Sequence, residues 1–225
     1  MATGVLTDLA RLADSEDERA AAKARQELLT PIAKGWSTDM GVEAASLGLQ
    51  VHGGMGFIEE TGAAQHYRDA RIAPIYEGTN GIQALDLVGR KVRSNGGETL
   101  RALCGEMALT AEGLTEDAGL APVGRRLAAG VAALERATDW LLSADNNAAL
   151  SAATPFLKLT GDVVGGWVLG RQAMAVAGLD DPWAQAKAAT ARLYASQVLA
   201  LAPGLADGLG EGAGDLEATD ASALA

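Results

Sequence analysis

The sequence predicts an all-α protein, and three observations support that prediction. The long stretches are rich in Ala, Leu, Glu and Arg, which favour helix. Apolar residues recur every three or four positions, as at Leu100, Leu103, Met107 and Leu114. Aromatic residues make up only 4% of the chain, and no stretch alternates convincingly between apolar and polar residues. We therefore expect a helical bundle followed by a second, small helical bundle.

The first lobe is expected at residues 1–94. Residues 5–35 predict one helix, which Pro31 interrupts or begins anew. Thr38 is a candidate N-cap for the next helix. That helix should end at the segment QVHGGMGF, residues 50–57, where glycines permit positive φ angles and close approach of a ligand.

The second lobe is expected at residues 95–225, after the linker signal RSNGGE. Further apolar stripes continue the bundle pattern. The pairs Thr154-Pro155 and Asp181-Pro182 each predict a helix that begins with an N-cap and an N1 proline. From Leu193 onward the chain has no Lys or Arg, and we expect its acidic tail to fray.

The composition narrows the possible functions. The 225 residues are 48% apolar and carry a formal charge of -11, which argues against nucleic acid as a partner. Cys104 is the only cysteine, which excludes an intrachain disulfide and a Cys-based metal site and predicts a core position. We expect no metal site and no membrane span. Without a recognisable signal peptide, a cytoplasmic location is expected.

A single carboxylate, Glu77, lies in the turn IYEGTNGIQ, residues 75–83. Asn80 is a plausible N-cap of the following helix, with Gln83 completing a capping box. Glu77 could be a surface acid favoured by the helix dipole. Alternatively, a loop-to-helix junction could aim it into a cleft as a general base. The residues alone leave both interpretations open.

The glycine segment is equally open to two interpretations. A turn between helices needs glycines without any ligand, whereas a bound cofactor would use them for close approach. The segment is neither a Walker loop nor a Rossmann fingerprint. His52 and His66 have no partner at metal-ligand spacing and are expected to be structural or exposed.

Residues 28–92 closely resemble the C-terminal helical domain of acyl-CoA dehydrogenases. QVHGGMGF is similar to the Gln-x-x-Gly-Gly-x-Gly segment of the family, and IYEGTNGIQ is similar to its Tyr-Glu-Gly-Thr catalytic loop. Arg68-Asp69 lies between the two motifs, as in the family. The part after residue 95 resembles the extra C-terminal helical domain of a subgroup with long chains, the 3-methylmercaptopropionyl-CoA dehydrogenase-like enzymes.

The resemblance implies an FAD-dependent enzyme that converts an acyl-CoA thioester into a trans-2-enoyl-CoA. It assigns Glu77 as the base that removes the α-proton while the β-hydride passes to FAD, and Glu77 N–H as a donor to the thioester carbonyl. Gly78 corresponds to a position beside the acyl chain. The residues implied to contact FAD are Gln50, Val51, His52, Gly53, Gly54, Thr79 and Asn80. The first five would contact FAD held mainly by a neighbouring subunit, which implies an oligomer.

The sequence also departs from the family. Gly81 stands where many members carry a polar side chain. We also expect the N-terminal helical and middle β domains of the family to be missing from this chain. We expect the C-terminal portion of an enzyme, acting as a homo-oligomer or with a chain that carries those domains. Its expected partners are acyl-CoA and an electron-transfer flavoprotein. The alternatives are a non-catalytic helical remnant that oligomerises or binds a partner, and a relative of acyl-CoA oxidases.

Overall fold

A computed structural model describes residues 2–219 and 222 of the chain. Within these residues all regular structure is helical, which confirms the predicted all-α class. The chain divides between Leu87 and Val88 into two compact units. The domain boundary expected after residue 94 stays a prediction. Part of the expected acidic tail, residues 220, 221 and 223–225, lies outside the described residues.

The first unit contains six α-helices: α1 (Ala2–Leu12), α2 (Glu16–Pro31), α3 (Ser37–Val51), α4 (Gly54–Phe57), α5 (Ala63–Ala70) and α6 (Asn80–Asp86). A π-helix, Ile32–Trp36, joins α2 to α3 without a break and also packs against α6. A second π-helix, Leu87–Val92, follows α6 in the chain.

The single helix expected over residues 5–35 is wrong in two places. The chain leaves the helix after Leu12 and re-enters it at Glu16, where Ser15 and Glu18 form a capping box. Pro31 lies at the end of α2 and neither stops nor begins a helix, because the wide π turn follows it directly. Thr38 is therefore not an N-cap: it lies in continuous helix, and its hydroxyl donates to the Lys34 carbonyl at 2.7 Å.

The second unit contains the remaining α-helices of the described residues: α7 (Glu98–Glu116), α8 (Ala121–Ser143), α9 (Asn146–Ser151), α10 (Ala153–Ala175), α11 (Pro182–Gln197), α12 (Ala202–Asp207) and α13 (Ala213–Ala218). Its main packing joins α7 to α8, and α10 and α11 pack against each other and against α8. Asp181 caps α11 as predicted, accepting from Ala184 N–H at 2.9 Å. The cap predicted at Thr154 is wrong, since α10 already begins at Ala153.

The apolar stripes predicted for the second lobe are confirmed as its core. The buried residues of these stripes are Leu100, Leu103, Cys104, Met107, Leu114, Leu127, Val131, Leu134 and Leu141. The buried hydroxyl of Thr138 donates to the Leu134 carbonyl at 2.7 Å, which satisfies the one polar member of the stripe.

A buried polar group also links α10 to α11. Asp162 is only 1% exposed, and Lys158 Nζ lies 2.8 Å from its Oδ2. The Tyr194 hydroxyl donates to the Asp162 carbonyl oxygen at 3.0 Å. Burial, with a smaller contribution from the Asp162 charge, raises the pKa of Tyr194 well above its usual range, so its hydroxyl stays a hydrogen-bond donor at alkaline pH as well.

Of the helices in the described residues, none is long and apolar enough to cross a membrane.

Leu127→Ala tests the importance of the α8 stripe. Leu127 is fully buried, so its truncation should lower the free energy of unfolding by about 3 kcal/mol in urea titrations followed by circular dichroism. Leu109→Ala is the matched control, because Leu109 is 69% exposed on α7 and its loss should cost less than about 0.5 kcal/mol. Equal losses for the two variants would contradict this core assignment.

Candidate functional site

The segment between α5 and α6 forms a compact turn around Glu77. Tyr76 N–H donates to the Ile72 carbonyl at 3.1 Å, and Asn80 N–H donates to the Pro74 carbonyl at 3.0 Å. These two bonds fix the ends of the short loop that carries Glu77 and Gly78. The loop then enters α6 directly, so Glu77 lies at a junction between loop and helix, as predicted.

Glu77 has a φ of 53° and is the only non-glycine residue in the described part of the chain with a positive φ. Gly78 follows with a φ of 88°. A side chain in this left-handed region costs about 1–2 kcal/mol, which glycine avoids. Strain of this kind is found disproportionately at functional sites, where surrounding contacts maintain it. No local sequence pattern predicts this conformation of Glu77.

The Glu77 carboxylate is exposed and makes no hydrogen bond or ion pair with any described residue. Its backbone N–H is likewise absent from the hydrogen bonds of the described loop. A surface acid gains nothing from such a strained backbone. The arrangement leaves both the carboxylate and the N–H of one residue available to another molecule.

The residue that caps α6 differs from the prediction by one position. The Thr79 hydroxyl oxygen accepts from Ile82 N–H at 3.3 Å, so Thr79 is the N-cap and Asn80 is the first helical residue. The predicted capping box of Asn80 and Gln83 is therefore wrong. The Asn80 side chain is instead engaged with the π-helix and the start of α3, where its Nδ2 donates to Gly35 O at 2.9 Å and to Asp39 Oδ1 at 2.8 Å.

The glycine segment after α3 turns sharply. Gly53 has a φ of 60°, a conformation that favours glycine. Gly56 packs against α3, and a Cβ atom there would clash with the Leu49 carbonyl oxygen. A Cβ atom built on Gly53 or Gly54, by contrast, meets no atom within 4 Å. Gly56 is thus required for packing, whereas Gly53 and Gly54 leave exposed backbone that a ligand could approach closely.

Three of the predicted flavin contacts have a local structural role or an exposed position. His52 Nδ1 lies 2.9 Å from the Gly48 carbonyl oxygen, which holds the imidazole against the end of α3. Gln50 and Val51 occupy the last turn of α3, and both are exposed. The side chains of this segment are therefore open to another molecule rather than packed into the unit.

The two predicted motifs lie at opposite ends of α3. Asn80 contacts Asp39 in the first turn of this helix, whereas Val51 ends it and Gly53 follows. Twelve residues of helix separate Asp39 from Val51, a rise of about 18 Å. The structure thus gathers Glu77, Gly78, Thr79 and Asn80 in one loop but does not place Gln50–Gly54 beside them.

Several large apolar side chains close to the two motifs are exposed. Val51 is 86% exposed, Phe57 81% and Tyr76 51%. These exposed side chains lie beside both motifs rather than in the core of the unit.

The amino-acid sequence of the chain matches two protein-family models. The model for the acyl-CoA dehydrogenase C-terminal domain matches residues 6–92, and the model described as acetyl-CoA dehydrogenase C-terminal like matches residues 103–220. Both motifs fall within the first match. The second match begins inside α7 and covers all of α8–α12.

Curated relatives point to the same family. A 3-methylmercaptopropionyl-CoA dehydrogenase of Ruegeria pomeroyi is 49% identical over 209 residues, which are 88% of this chain and 35% of the relative. A broad-specificity linear acyl-CoA dehydrogenase of Mycobacterium tuberculosis is 32% identical over 177 residues, 68% of this chain and 27% of the relative. The human mitochondrial short-chain specific acyl-CoA dehydrogenase is 54% identical over 46 residues, 20% of this chain and 11% of the relative.

The chain spans about a third or less of the length of these relatives. The resemblance expected from the two motifs and from the second lobe is confirmed across both units. The chain belongs to the acyl-CoA dehydrogenase family, in which it corresponds to the C-terminal helical domain and the additional helical domain that follows it.

Proposed function

We propose that the chain is the C-terminal portion of an FAD-dependent acyl-CoA dehydrogenase in which Glu77 is the catalytic base. The observation that carries the proposal is Glu77 itself, which has a strained backbone at a loop-to-helix junction and a carboxylate without a partner among the described residues. A non-catalytic remnant would have no reason to retain that strain.

In the proposed reaction, the Glu77 carboxylate takes the α-proton of the acyl thioester, and the electron pair of that bond becomes part of the new Cα–Cβ double bond. Negative charge moves onto the thioester oxygen as the proton leaves. The unpaired Glu77 N–H supports a role in stabilising that charge. One residue would then supply both the base and a hydrogen-bond donor.

Gly78 supports the proposal because it keeps the backbone beside Glu77 bare. A Cβ atom at Gly78 would lie 3.1 Å from Gln83 Nε2, and the positive φ disfavours any side chain. An acyl chain could therefore pass close to the backbone at this point. The length of the acyl group would be set largely by protein outside this chain.

The described residues fit a flavin. Gly53 and Gly54 expose backbone with open space around it, and Thr79 keeps its hydroxyl hydrogen free to donate after capping α6. Gln50, Val51, His52, Gly53 and Gly54 would hold one cofactor, and Thr79 and Asn80 would contact another. When bound, FAD would accept the β-hydride. The rise of about 18 Å along α3 supports this assignment of the two motifs to different cofactor molecules.

The exposed apolar side chains near both motifs support an assembly, either a homo-oligomer or a complex with protein that supplies the remaining domains. Acyl-CoA is the proposed substrate and an electron-transfer flavoprotein the proposed electron acceptor. A dehydrogenase and an oxidase differ in what reoxidises their reduced FAD. Measuring the rate of that reoxidation by oxygen and by the electron-transfer flavoprotein distinguishes the two functions. The cytoplasmic location stays a prediction.

Flavin absorbance tests the first requirement of the proposal, which is that an assembly containing this chain binds FAD. The purified chain is measured alone and after mixing with a polypeptide that carries the N-terminal helical and middle β domains of the family. We expect visible flavin absorbance to co-purify with the mixture. If FAD is never retained in either sample, the chain is a helical interaction module and the enzymatic proposal is wrong.

Glu77→Gln should abolish most dehydrogenation in an assembly that binds FAD. The amide keeps the shape of the side chain but cannot accept the α-proton, so kcat should fall by about 10²- to 10⁴-fold. Binding of FAD and acyl-CoA should change little. Glu60→Gln is the control, because Glu60 is another exposed acid of the same unit. Normal turnover by the Glu77 variant would exclude this residue as the base.

Gly78→Ala and Gly81→Ala should have opposite effects on stability. Gly78 has a left-handed φ, so alanine there should lower the free energy of unfolding by about 1 kcal/mol or more. Gly81 lies within α6 and has a Cβ position 3.8 Å from Thr79 Oγ1, so alanine should be neutral or stabilising by up to about 1 kcal/mol. Chemical denaturation of the two variants measures both effects. Destabilisation by Gly81→Ala alone would contradict the loop geometry.

A further inference from the structure

Lys34 reaches the Glu77 loop from a distant part of the sequence. It lies in the π-helix between α2 and α3, 44 residues before Gly78. Its ammonium group donates to the Gly78 carbonyl oxygen at 2.7 Å and to Asn80 Oδ1 at 3.0 Å. One side chain therefore holds the residue directly after Glu77 and the first residue of α6.

Asn80 extends this contact back to α3. Its Nδ2 donates to Asp39 Oδ1 at 2.8 Å and to the Gly35 carbonyl at 2.9 Å. We call the set Lys34, Gly35, Asp39, Gly78 and Asn80 the Lys34–Asn80 clamp. It ties the start of α6 to the junction of the π-helix and α3.

The clamp acts on the backbone on the C-terminal side of Glu77. The Gly78 carbonyl belongs to the peptide between Gly78 and Thr79, so its bond to Lys34 fixes the orientation of that peptide. Asn80, also on the C-terminal side of Glu77, donates its N–H to the carbonyl of Pro74 on the N-terminal side. The two bonds therefore restrict the backbone that directly follows Glu77. A hydrogen bond from an ammonium group is stronger than one between neutral groups, which suits it to maintain strain.

The π-helix gives Lys34 and Gly35 their position. Wide π turns occur often at functional sites, where they redirect side chains and leave backbone carbonyls for other partners. Here the Gly35 carbonyl accepts from a side chain rather than only from its own helix. Continuous α-helix from α2 into α3 would turn Lys34 to a different direction.

We propose that Lys34 and Asn80 are positioning residues that hold the Glu77 backbone in its left-handed conformation and so aim its carboxylate and N–H at the substrate. The catalytic consequence rests on the proposed function. The effect on the loop does not, because it concerns the backbone of this chain alone.

The loop is tested first, by amide hydrogen exchange resolved to single residues in the chain itself. Lys34→Met should raise exchange at the amides of Asn80 and Gln83, which are bonded to Pro74 O and Thr79 O, by at least about 10-fold. The Gly53 amide, bonded to Gln50 O, should keep its rate within about twofold. Equal acceleration at Gly53 would mean general destabilisation and would overturn the proposal, as would unchanged exchange at Asn80.

Two further variants complete this measurement. Lys23→Met is the matched control, because it removes an exposed lysine from α2 of the same unit and should leave all three amides unchanged. Lys34→Arg keeps a cationic donor and should restore most of the protection. If Lys34→Met does not fold, Lys34→Gln is measured in its place against the same expectations.

The catalytic consequence is tested in an assembly with bound FAD. Lys34→Met should lower kcat by at least about 10-fold with KM changed by less than about twofold, because misalignment of the base slows proton abstraction without removing a substrate contact. The kinetic isotope effect with α-deuterated acyl-CoA should rise. Unchanged kcat and isotope effect alongside a loosened loop would overturn the positioning role. If no assembly turns over substrate, the proposed function fails, while the exchange result still decides the effect on the loop.

Discussion

Two consecutive left-handed residues, Glu77 and Gly78, determine what the candidate site can do. The backbone must reverse between Tyr76 and α6, and it does so with a glutamate in a conformation that costs about 1–2 kcal/mol. That conformation leaves the carboxylate and the N–H of the same residue free of partners in the described chain. Lys34 and Asn80 stabilise the turn from the side of α3, and the Pro74 carbonyl closes it.

Within the first unit, α3 connects the Glu77 loop to the glycine segment. Its first turn supports the Glu77 loop through Asp39, and its last turn leads into the glycine segment at Gly53. One rigid helix therefore sets the distance between the two motifs that define the family. If each motif contacts a different flavin, as proposed, this helix also sets the spacing between neighbouring active sites in the assembly.

The regular parts of the fold could be predicted from the sequence, because they follow from short-range patterns. The stripes through Leu103 and Leu134 are buried, as their helical spacing predicts. Asp181 is the N-cap of α11, as the Asp-Pro pair predicts. The glutamate and its motif could also be recognised, since they are local in sequence.

The errors have a common physical cause. Thr79 and Asn80 are both good N-cap residues, and Thr79 takes the role because the Asn80 side chain is bound to the π-helix and α3, a choice set by distant residues. The proposed role of Lys34 could not be predicted either. Regular α-helical periodicity would place its side chain on a different face of the helix from the one that the π turn after Pro31 gives it. Left-handed φ at Glu77 has no sequence signal either, since glutamate does not favour it.

The central claim is that Glu77 removes the α-proton of an acyl thioester. The most direct measurement uses an acyl-CoA analogue with a heteroatom in place of the β-carbon, which can lose an α-proton but no β-hydride. An FAD-containing assembly of this chain, incubated with the analogue in D₂O, should incorporate deuterium at the α-carbon, and the Glu77→Gln variant should not. Equal incorporation by the variant would show that another group removes the proton and would contradict the account.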